Sequence, residues 1–298
     1  MAQAPATPKL KRASLRLAAT LAPSLAARLS PAPSEQAALA LRSAARGTPR
    51  PKAEKVIFLV PLVGPHHVGD WQAVTERLQQ TVESFRRQNG AWEAVICCQE
   101  RPPLPDDPRL SWLPFDDPTP GNDKWRKLAA LCDHLATREG GPGYVMSFDA
   151  DDLLRDGTVS EMLERQEAGY LVETGYVMDH ATGDVALAGP RRLSMPLRKP
   201  FWKLCGSCSA LLHDPRLTES AAFLREMTAH EHRMFPYLAA LAGRDLSALR
   251  RPSVLYVLNH GENFGARRGR VGFKTRFVQR FRVAPRDWAA ARRQFPEP

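Results

Sequence analysis

The chain has 298 residues, of which 43% are hydrophobic, and this is enough for one large folded domain or two small ones. Its net charge is +10 at pH 7, and the excess is concentrated before residue 55 and again between Arg267 and Arg293. Five cysteines without framework spacing argue against a disulfide-stapled fold and predict a cytoplasmic protein, and no run reaches the roughly 18 apolar residues of a membrane-spanning helix.

Residues 1–53 are rich in Ala, Pro and Arg, and Glu35 is their one acidic side chain, which predicts a flexible basic leader and linker. A basic amphipathic helix that lies on the inner face of a membrane is an alternative interpretation, and an organelle transit peptide is another. No aromatic side chain interleaves the basic positions of this segment, which argues against nucleic acid as a partner.

Alternating strands and helices begin after residue 55. The apolar run 56–60 predicts a strand that is buried on both faces. Asp70 is placed to cap the helix that follows, and residues 93–98 form a second apolar run. A strand, a helix and a strand within about 45 residues predict a parallel pair with a right-handed crossover.

The alternation continues through the first half of the chain, and further strands and helices follow it. We expect strands over 110–114 and 144–148, helices over 124–138, 158–168 and 230–242, a hairpin around 179–184, and strands over 201–212 and 253–258. The order predicts an α/β fold with a mostly parallel central sheet flanked by helices and a small antiparallel C-terminal part. This domain is expected to span 54–265, and the basic extension 266–298 is expected to pack on it.

Three acidic residues follow the strand that ends at Phe148. Asp149, Asp151 and Asp152 repel one another unless a cation lies among them, and ligands of open α/β sheets lie outside the carboxyl ends of strands. Mn²⁺ or Mg²⁺ is the natural cofactor, because both prefer oxygen ligands and bridge to substrate phosphates. An Asp-rich turn that caps the next helix is the alternative interpretation.

The order of these motifs resembles the glycosyltransferases of the GT-A fold, closest in style to the inverting family 2. The resemblance covers roughly residues 55–265. It is carried by the loop 58–64, the helix end 84–88, the Gly-x-x-Lys segment 121–124 and the strand followed by D-x-D at 148–152.

The resemblance implies a site for a nucleotide-diphosphate sugar. In that family the first loop and the second strand hold the nucleoside, which falls by position on Pro61, Val63 and Glu100. The first Asp of the motif, Asp149, would contact the sugar nucleotide, and Lys124 would face it.

The resemblance also implies a metal centre and a base. Asp151 would bind the metal, with Asp152 as an alternative ligand and His260 as a third contact. Glu231 would accept the proton of the acceptor hydroxyl, a role that a neighbouring imidazole could also fill. Arg267 would close over the diphosphate, because guanidinium groups suit phosphate oxygens.

These residues together predict metal-dependent sugar transfer to the hydroxyl of a carbohydrate or glycoconjugate acceptor, with inversion. A sugar-phosphate nucleotidyltransferase shares the α/β start, but its loop after strand one normally carries Arg and Lys, which residues 61–69 lack. A non-enzymatic basic adaptor built on an inactive α/β domain is the other alternative.

Overall fold

A computed structural model of the chain describes residues 3–119, 121–259 and 271–297. In chain order, the strands are β1 (Lys55–Pro61), β2 (Trp92–Cys98), β3 (Leu110–Pro114), β4 (Gly143–Ser147), β5 (Asp152–Leu154), β6 (Gly169–Leu171), β7 (Gly175–Asp179), β8 (Asp184–Ala188), β9 (Ser209–His213), β10 (Ser247–Ala248) and β11 (Val254–Leu258).

The helices in chain order are α1 (Lys9–Leu21), α2 (Pro23–Arg28), α3 (Pro33–Ala44), α4 (Trp71–Arg86), α5 (Lys124–Thr137), α6 (Thr158–Arg165), α7 (Thr218–Thr228), α8 (Phe235–Leu241), α9 (Val271–Arg280) and α10 (Pro285–Arg292). Within the described parts of the chain, no helix combines the length and the apolar character needed to cross a bilayer.

The central sheet has seven strands in the order β10-β6-β9-β4-β1-β2-β3. Strands β4, β1, β2 and β3 pair in parallel, whereas β9 runs antiparallel to both of its neighbours. The chain moves outward from β1 to β2 and β3 and then returns to place β4 on the other side of β1. The strand order therefore reverses between β1 and β4, which is where open α/β sheets bind ligands.

The elements of the first half form where the sequence predicts them. The side chain of Asp70 accepts the Ala73 N–H at 2.9 Å and caps α4. Behind the sheet, the rings of Phe58 and Phe85 stack with centroids 4.0 Å apart, and Phe148 meets both of them edge-on. The apolar run of β1 is buried along its length because helices cover both faces of the sheet.

A second, smaller sheet of order β5-β11-β7-β8 comes from the second half of the chain. Its β5/β11 and β7/β8 pairs are antiparallel, and β11 pairs with β7 in parallel. A mostly parallel central sheet with helices and a small, largely antiparallel second part confirms the expected fold class. The predicted hairpin around 179–184 joins β7 to β8.

The N-terminal segment differs from the flexible leader that its composition predicts. Residues 9–44 fold into α1, α2 and α3, and α3 packs on α7 and α8. Leu15 and Leu41 are fully buried, and buried Glu35 accepts hydrogen bonds from Thr7 and Tyr237. An Ala-rich segment that prolines divide into short helices has little helical stability of its own, and tertiary packing supplies that stability here. The boundaries at 53 and 265 stay a prediction.

The C-terminal helices lie against the second sheet. Phe277 of α9 is buried, and α9 packs on β7 and β8. Trp288 of α10 and Phe295 after it form edge contacts with the ring of Tyr176 in β7. The predicted strand 201–212 is shorter than expected, because a 3₁₀ turn (Phe201–Lys203) and an irregular segment precede β9.

Candidate functional site

A cleft of about 860 Å³ lies at the carboxyl ends of β1 and β4, beside the reversal of strand order. Pro61, the last residue of β1, lines it together with Val63, and Asp149 and Asp151 line it just after β4. Glu231, which precedes a 3₁₀ turn before α8, lines the same cleft. The fold thus gathers at one cleft residues that are separated by up to 170 positions in the sequence.

The three aspartates form a compact cluster. One carboxylate oxygen from each of Asp149, Asp151 and Asp152 lies within 4.8 Å of the others. Asp149 and Asp151 are half-buried and line the cleft, whereas Asp152 is fully buried as the first residue of β5. Three oxygens at this spacing suit one hard divalent cation.

The segment that precedes β9 holds the carboxylate of Asp152 through hydrogen bonds. Its Oδ2 accepts hydrogen bonds from Ser207 Oγ at 2.6 Å and from Cys205 Sγ at 3.0 Å. Its Oδ1 is buried and has no hydrogen-bond partner among the described residues. Burial raises the pKa of Asp152 well above its usual range, and the charges of Asp151 and Asp149 raise it further. An orphaned buried oxygen beside two more carboxylates fits a metal ion.

The end of α4 and the residues after it hold β5 and the start of α6 in place. Thr81 Oγ1 donates to the carbonyl of Asp152, and Ser84 Oγ accepts the Leu154 N–H at 3.0 Å. The amide oxygen of Gln88 accepts two N–H groups at the start of α6, whose own N-cap residue offers no side chain. These contacts give a structural reason for the polar residues at positions 84 and 88.

A lysine already pairs with the cluster. Lys124, the first residue of α5, donates from Nζ to Asp149 Oδ1 at 2.5 Å. Burial alone would lower the pKa of Lys124, but the charges of Asp149 and Asp151 outweigh it, so the pKa is raised and the ammonium stays charged. Lys124 therefore lines the cleft with a carboxylate as its partner, and its contact with a nucleotide stays a prediction.

Lys127 has a different role from its neighbour. Its side chain is fully buried, and Nζ donates to the Leu62 carbonyl at 2.5 Å and to Gln99 Oε1 at 2.8 Å. It also forms an ion pair with Asp123 at 2.8 Å. Lys127 thus fastens the loops after β1 and β2 to α5, which holds the wall of the cleft in place.

The backbone before β9 approaches the cluster closely. A Cβ on Gly206 would lie 3.4 Å from Asp149 Oδ2 and 3.8 Å from Lys124 Nζ. The hydroxyl of Ser207 accepts the Asp149 N–H at 2.8 Å. The sequence indicates this approach only through the small residues of 205–208, and it gives no role to Cys205 or Ser207.

No protein-family model matches the sequence, and no curated protein matches it. Among solved structures, the chain is similar to the apo form of the glycosyltransferase GlyE of Streptococcus pneumoniae TIGR4, with 12% identity and a TM-score of 0.32. The match covers 77% of this chain and 51% of that one, so the chain spans about half the length of its match. A TM-score this low establishes no shared function.

Two residues of the cleft lining carry groups that can accept a proton. Glu231 lines the cleft, and His232 lies beside it. Burial lowers the pKa of His232 to about 4, and the charge of Lys124 adds to this, so the imidazole is neutral at pH 7. Its Nε2 has no hydrogen-bond partner among the described residues.

Two further polar residues of the cleft are not apparent from the sequence. Lys274 of α9 donates a hydrogen bond to the hydroxyl of Tyr256 in β11. Burial lowers the pKa of Lys274, and the nearby acidic groups, Cys205 and the carboxylates of the cluster, offset only part of this lowering. Burial and the same carboxylates raise the pKa of Tyr256. No local motif marks either residue, because α9 reaches the cleft only through packing on the second sheet.

Three predicted residues are not part of the described cleft. Glu100 does not line it; its side chain is 57% exposed and pairs with His66 at 3.3 Å. His260 and Arg267 lie outside the described residues. The proposed third metal contact and the proposed diphosphate clamp therefore stay predictions.

Proposed function

We propose that this chain transfers a sugar from a nucleotide-diphosphate sugar to an acceptor hydroxyl in a metal-dependent reaction. The observation that carries the proposal is the cluster of Asp149, Asp151 and Asp152 at the carboxyl end of β4, with one buried oxygen that has no partner among the described residues. Its position beside the reversal of strand order and the nearby Glu231 support the same interpretation.

The donor would occupy the part of the cleft next to β1. Pro61 and Val63 offer an apolar edge and backbone groups for the nucleoside. Asp149 would contact the sugar nucleotide, and Lys124 would turn from it to the diphosphate, where an ammonium binds phosphate oxygens. Gly206 leaves room above Asp149 because it has no side chain.

Asp151 and Asp152 would hold Mn²⁺ or Mg²⁺, with Asp149 nearby. When bound, such an ion offsets the charge that develops on a departing diphosphate. Residues of the chain would assist in two further ways. Lys124 and Lys274 add positive charge to the cleft, and Ser207 holds Asp152 in place.

Glu231 is our proposed base. It would accept the proton of the acceptor hydroxyl as that oxygen attacks the anomeric carbon. One direct displacement inverts the anomeric centre. The neutral imidazole of His232 is adjacent and is the alternative acceptor of the same proton. The acceptor would be a carbohydrate or glycoconjugate.

All five cysteines are free and buried, which supports a reaction in a reducing compartment such as the cytoplasm.

The decisive experiment measures binding and hydrolysis of a panel of nucleotide sugars with Mn²⁺, with Mg²⁺ or with a chelator. We expect one donor to bind in a metal-dependent manner, and Asp151→Asn to remove the metal-dependent part. Asp245→Asn changes an exposed carboxylate elsewhere and is expected to behave as the wild type. The proposal fails if no donor binds or turns over in any metal condition, or if Asp151→Asn has no effect.

A second experiment separates the base from donor binding. Glu231→Gln is expected to lower turnover by about 10²-fold to 10⁴-fold while leaving donor affinity unchanged. Glu164→Gln, at an exposed position of α6, is the matched control. If Glu231→Gln keeps full turnover and His232→Asn does not, the base is the imidazole.

A further inference from the structure

The outward face of α1 is apolar. Leu10, Leu17 and Leu21 are 85%, 63% and 74% exposed, and their spacing of seven and then four residues places them on one side of the helix. The opposite side carries Leu15 and Ala19, which are buried in the core of the domain. The helix therefore has one apolar face in the core and a second one in solvent. We call Leu10, Leu17 and Leu21 the exposed leucine face.

The apolar surface continues beyond α1. Leu25 in α2 and Leu29 directly after it are also exposed. Single exposed leucines are ordinary on protein surfaces, but five within 20 residues of two neighbouring helices are unusual for a surface that faces only water.

The charges around this surface have one sign. Lys9 and Arg16 are exposed beside the exposed leucine face, and Arg28 is exposed in α2. No acidic residue occurs from residue 3 to residue 34. The first one, Glu35, is buried and hydrogen-bonded inside the domain, so it does not offset these cations at the surface.

We propose that α1 and α2 lie on an anionic membrane surface. The exposed leucine face would enter the boundary between headgroups and acyl chains, and Lys9, Arg16 and Arg28 would meet lipid phosphates. Apolar side chains flanked by cations match such a surface in both respects. A second copy of the chain or another protein would also cover leucines, but it gives no reason for the absence of acidic side chains. This inference does not depend on the proposed sugar transfer.

Vesicle flotation of the full chain tests the proposal. We expect the chain to float with vesicles that contain equal parts of phosphatidylcholine and phosphatidylglycerol, and to bind phosphatidylcholine alone far more weakly. Lys9→Gln with Arg16→Gln is expected to lower the partition coefficient by about fivefold for each charge removed. High salt is expected to act in the same direction, because the Debye length falls to about 3 Å at 1 M.

The apolar contribution is tested by the triple variant Leu10→Gln, Leu17→Gln and Leu21→Gln. These side chains are exposed and glutamine is a good helix former, so the fold is expected to persist, which circular dichroism checks. The bound fraction is expected to fall by about tenfold or more. Leu193→Gln with Leu197→Gln alters exposed leucines elsewhere and is expected to bind as the wild type.

Three results would overturn the proposal. The first is that the wild type fails to float with anionic vesicles, and the second is that the triple variant floats as well as the wild type. The third is that light scattering shows the wild type as a dimer and the triple variant as a monomer, in which case a second copy covers the exposed leucine face. The Lys9 and Arg16 variant keeps the test valid if the triple variant is poorly folded.

Discussion

Lys124 Nζ lies 2.5 Å from Asp149 Oδ1, so a cation of the protein already pairs with the first carboxylate of the acidic cluster. Both residues are expected in the site from the sequence, but their contact is not. While Lys124 remains there, it offsets part of the negative charge that would attract a divalent ion. Substrate phosphates would give the ammonium a second partner and free Asp149.

Removal of this cation is expected to strengthen metal binding. In the absence of nucleotide, Lys124→Met should raise the affinity for Mn²⁺ by roughly tenfold, which is the scale on which groups around a metal ligand act. Titration of Mn²⁺ followed by electron paramagnetic resonance of the free ion measures this. Lys52→Met changes an exposed lysine before β1 and serves as the control. An unchanged Mn²⁺ affinity would show that Lys124 does not influence the metal.

Ser207 joins two of the aspartates, and its loss should be costly. Its hydroxyl donates to Asp152 Oδ2 and accepts the Asp149 N–H, so Ser207→Ala removes the acceptor of that N–H and leaves Asp152 Oδ2 with the Cys205 thiol alone. We expect the free energy of unfolding to fall by about 1–3 kcal/mol in urea denaturation, and Mn²⁺ affinity to fall with it. Ser209→Ala removes a buried hydroxyl that makes no hydrogen bond within the described chain. If Ser207→Ala and Ser209→Ala change the unfolding free energy and the Mn²⁺ affinity by the same amounts, Ser207 does not organise the cluster.

The fold was largely predictable because its signals are local. The apolar runs at 56–60 and 93–98, and the Asp70 cap between them, depend on neighbours within a few residues. The N-terminal helices were not predictable in this way. The burial of Leu15 depends on packing against the rest of the domain, which the sequence of the segment does not contain.

The same contrast applies to the site. Asp149, Asp151 and Asp152 form a local motif, and it identifies the acidic cluster from the sequence. The contact with Ser207 depends on the antiparallel pairing of β4 with β9, in which Met146 faces Ala210. When this register is continued past the strand ends, position 207 falls opposite position 149. A contact set by strand register over about 60 residues has no signal in a single sequence.

His213, at the end of β9, is expected to make stability sensitive to acid. It is buried, and burial lowers its pKa from 6.5 to about 4. Between these values the unfolded chain binds the proton and the folded chain does not, so stability falls as the pH drops from 6.5 towards 4. The full loss of unfolding free energy from this titration is up to about 3 kcal/mol.

The measurement for His213 is urea unfolding at a series of pH values. His213→Asn should flatten the decline of the unfolding free energy between pH 6.5 and 4 relative to the wild type. Other histidines titrate in both proteins, so the difference between the two curves isolates His213. His66→Asn, at an exposed position, should leave the wild-type curve unchanged. If the curves for His213→Asn and the wild type are parallel, the titration of His213 does not contribute to the pH dependence of stability.

A matched pair of leucines in α1 tests whether the N-terminal helices belong to the folded domain. Leu15 is fully buried and Leu17 is 63% exposed. Leu15→Ala is expected to lower the free energy of unfolding by about 2–5 kcal/mol, because it leaves a cavity. Leu17→Ala should change it by less than about 0.5 kcal/mol, because most of the side chain is already exposed. If urea unfolding gives the same stability for both variants, residues 1–53 behave as the flexible leader that their composition predicts.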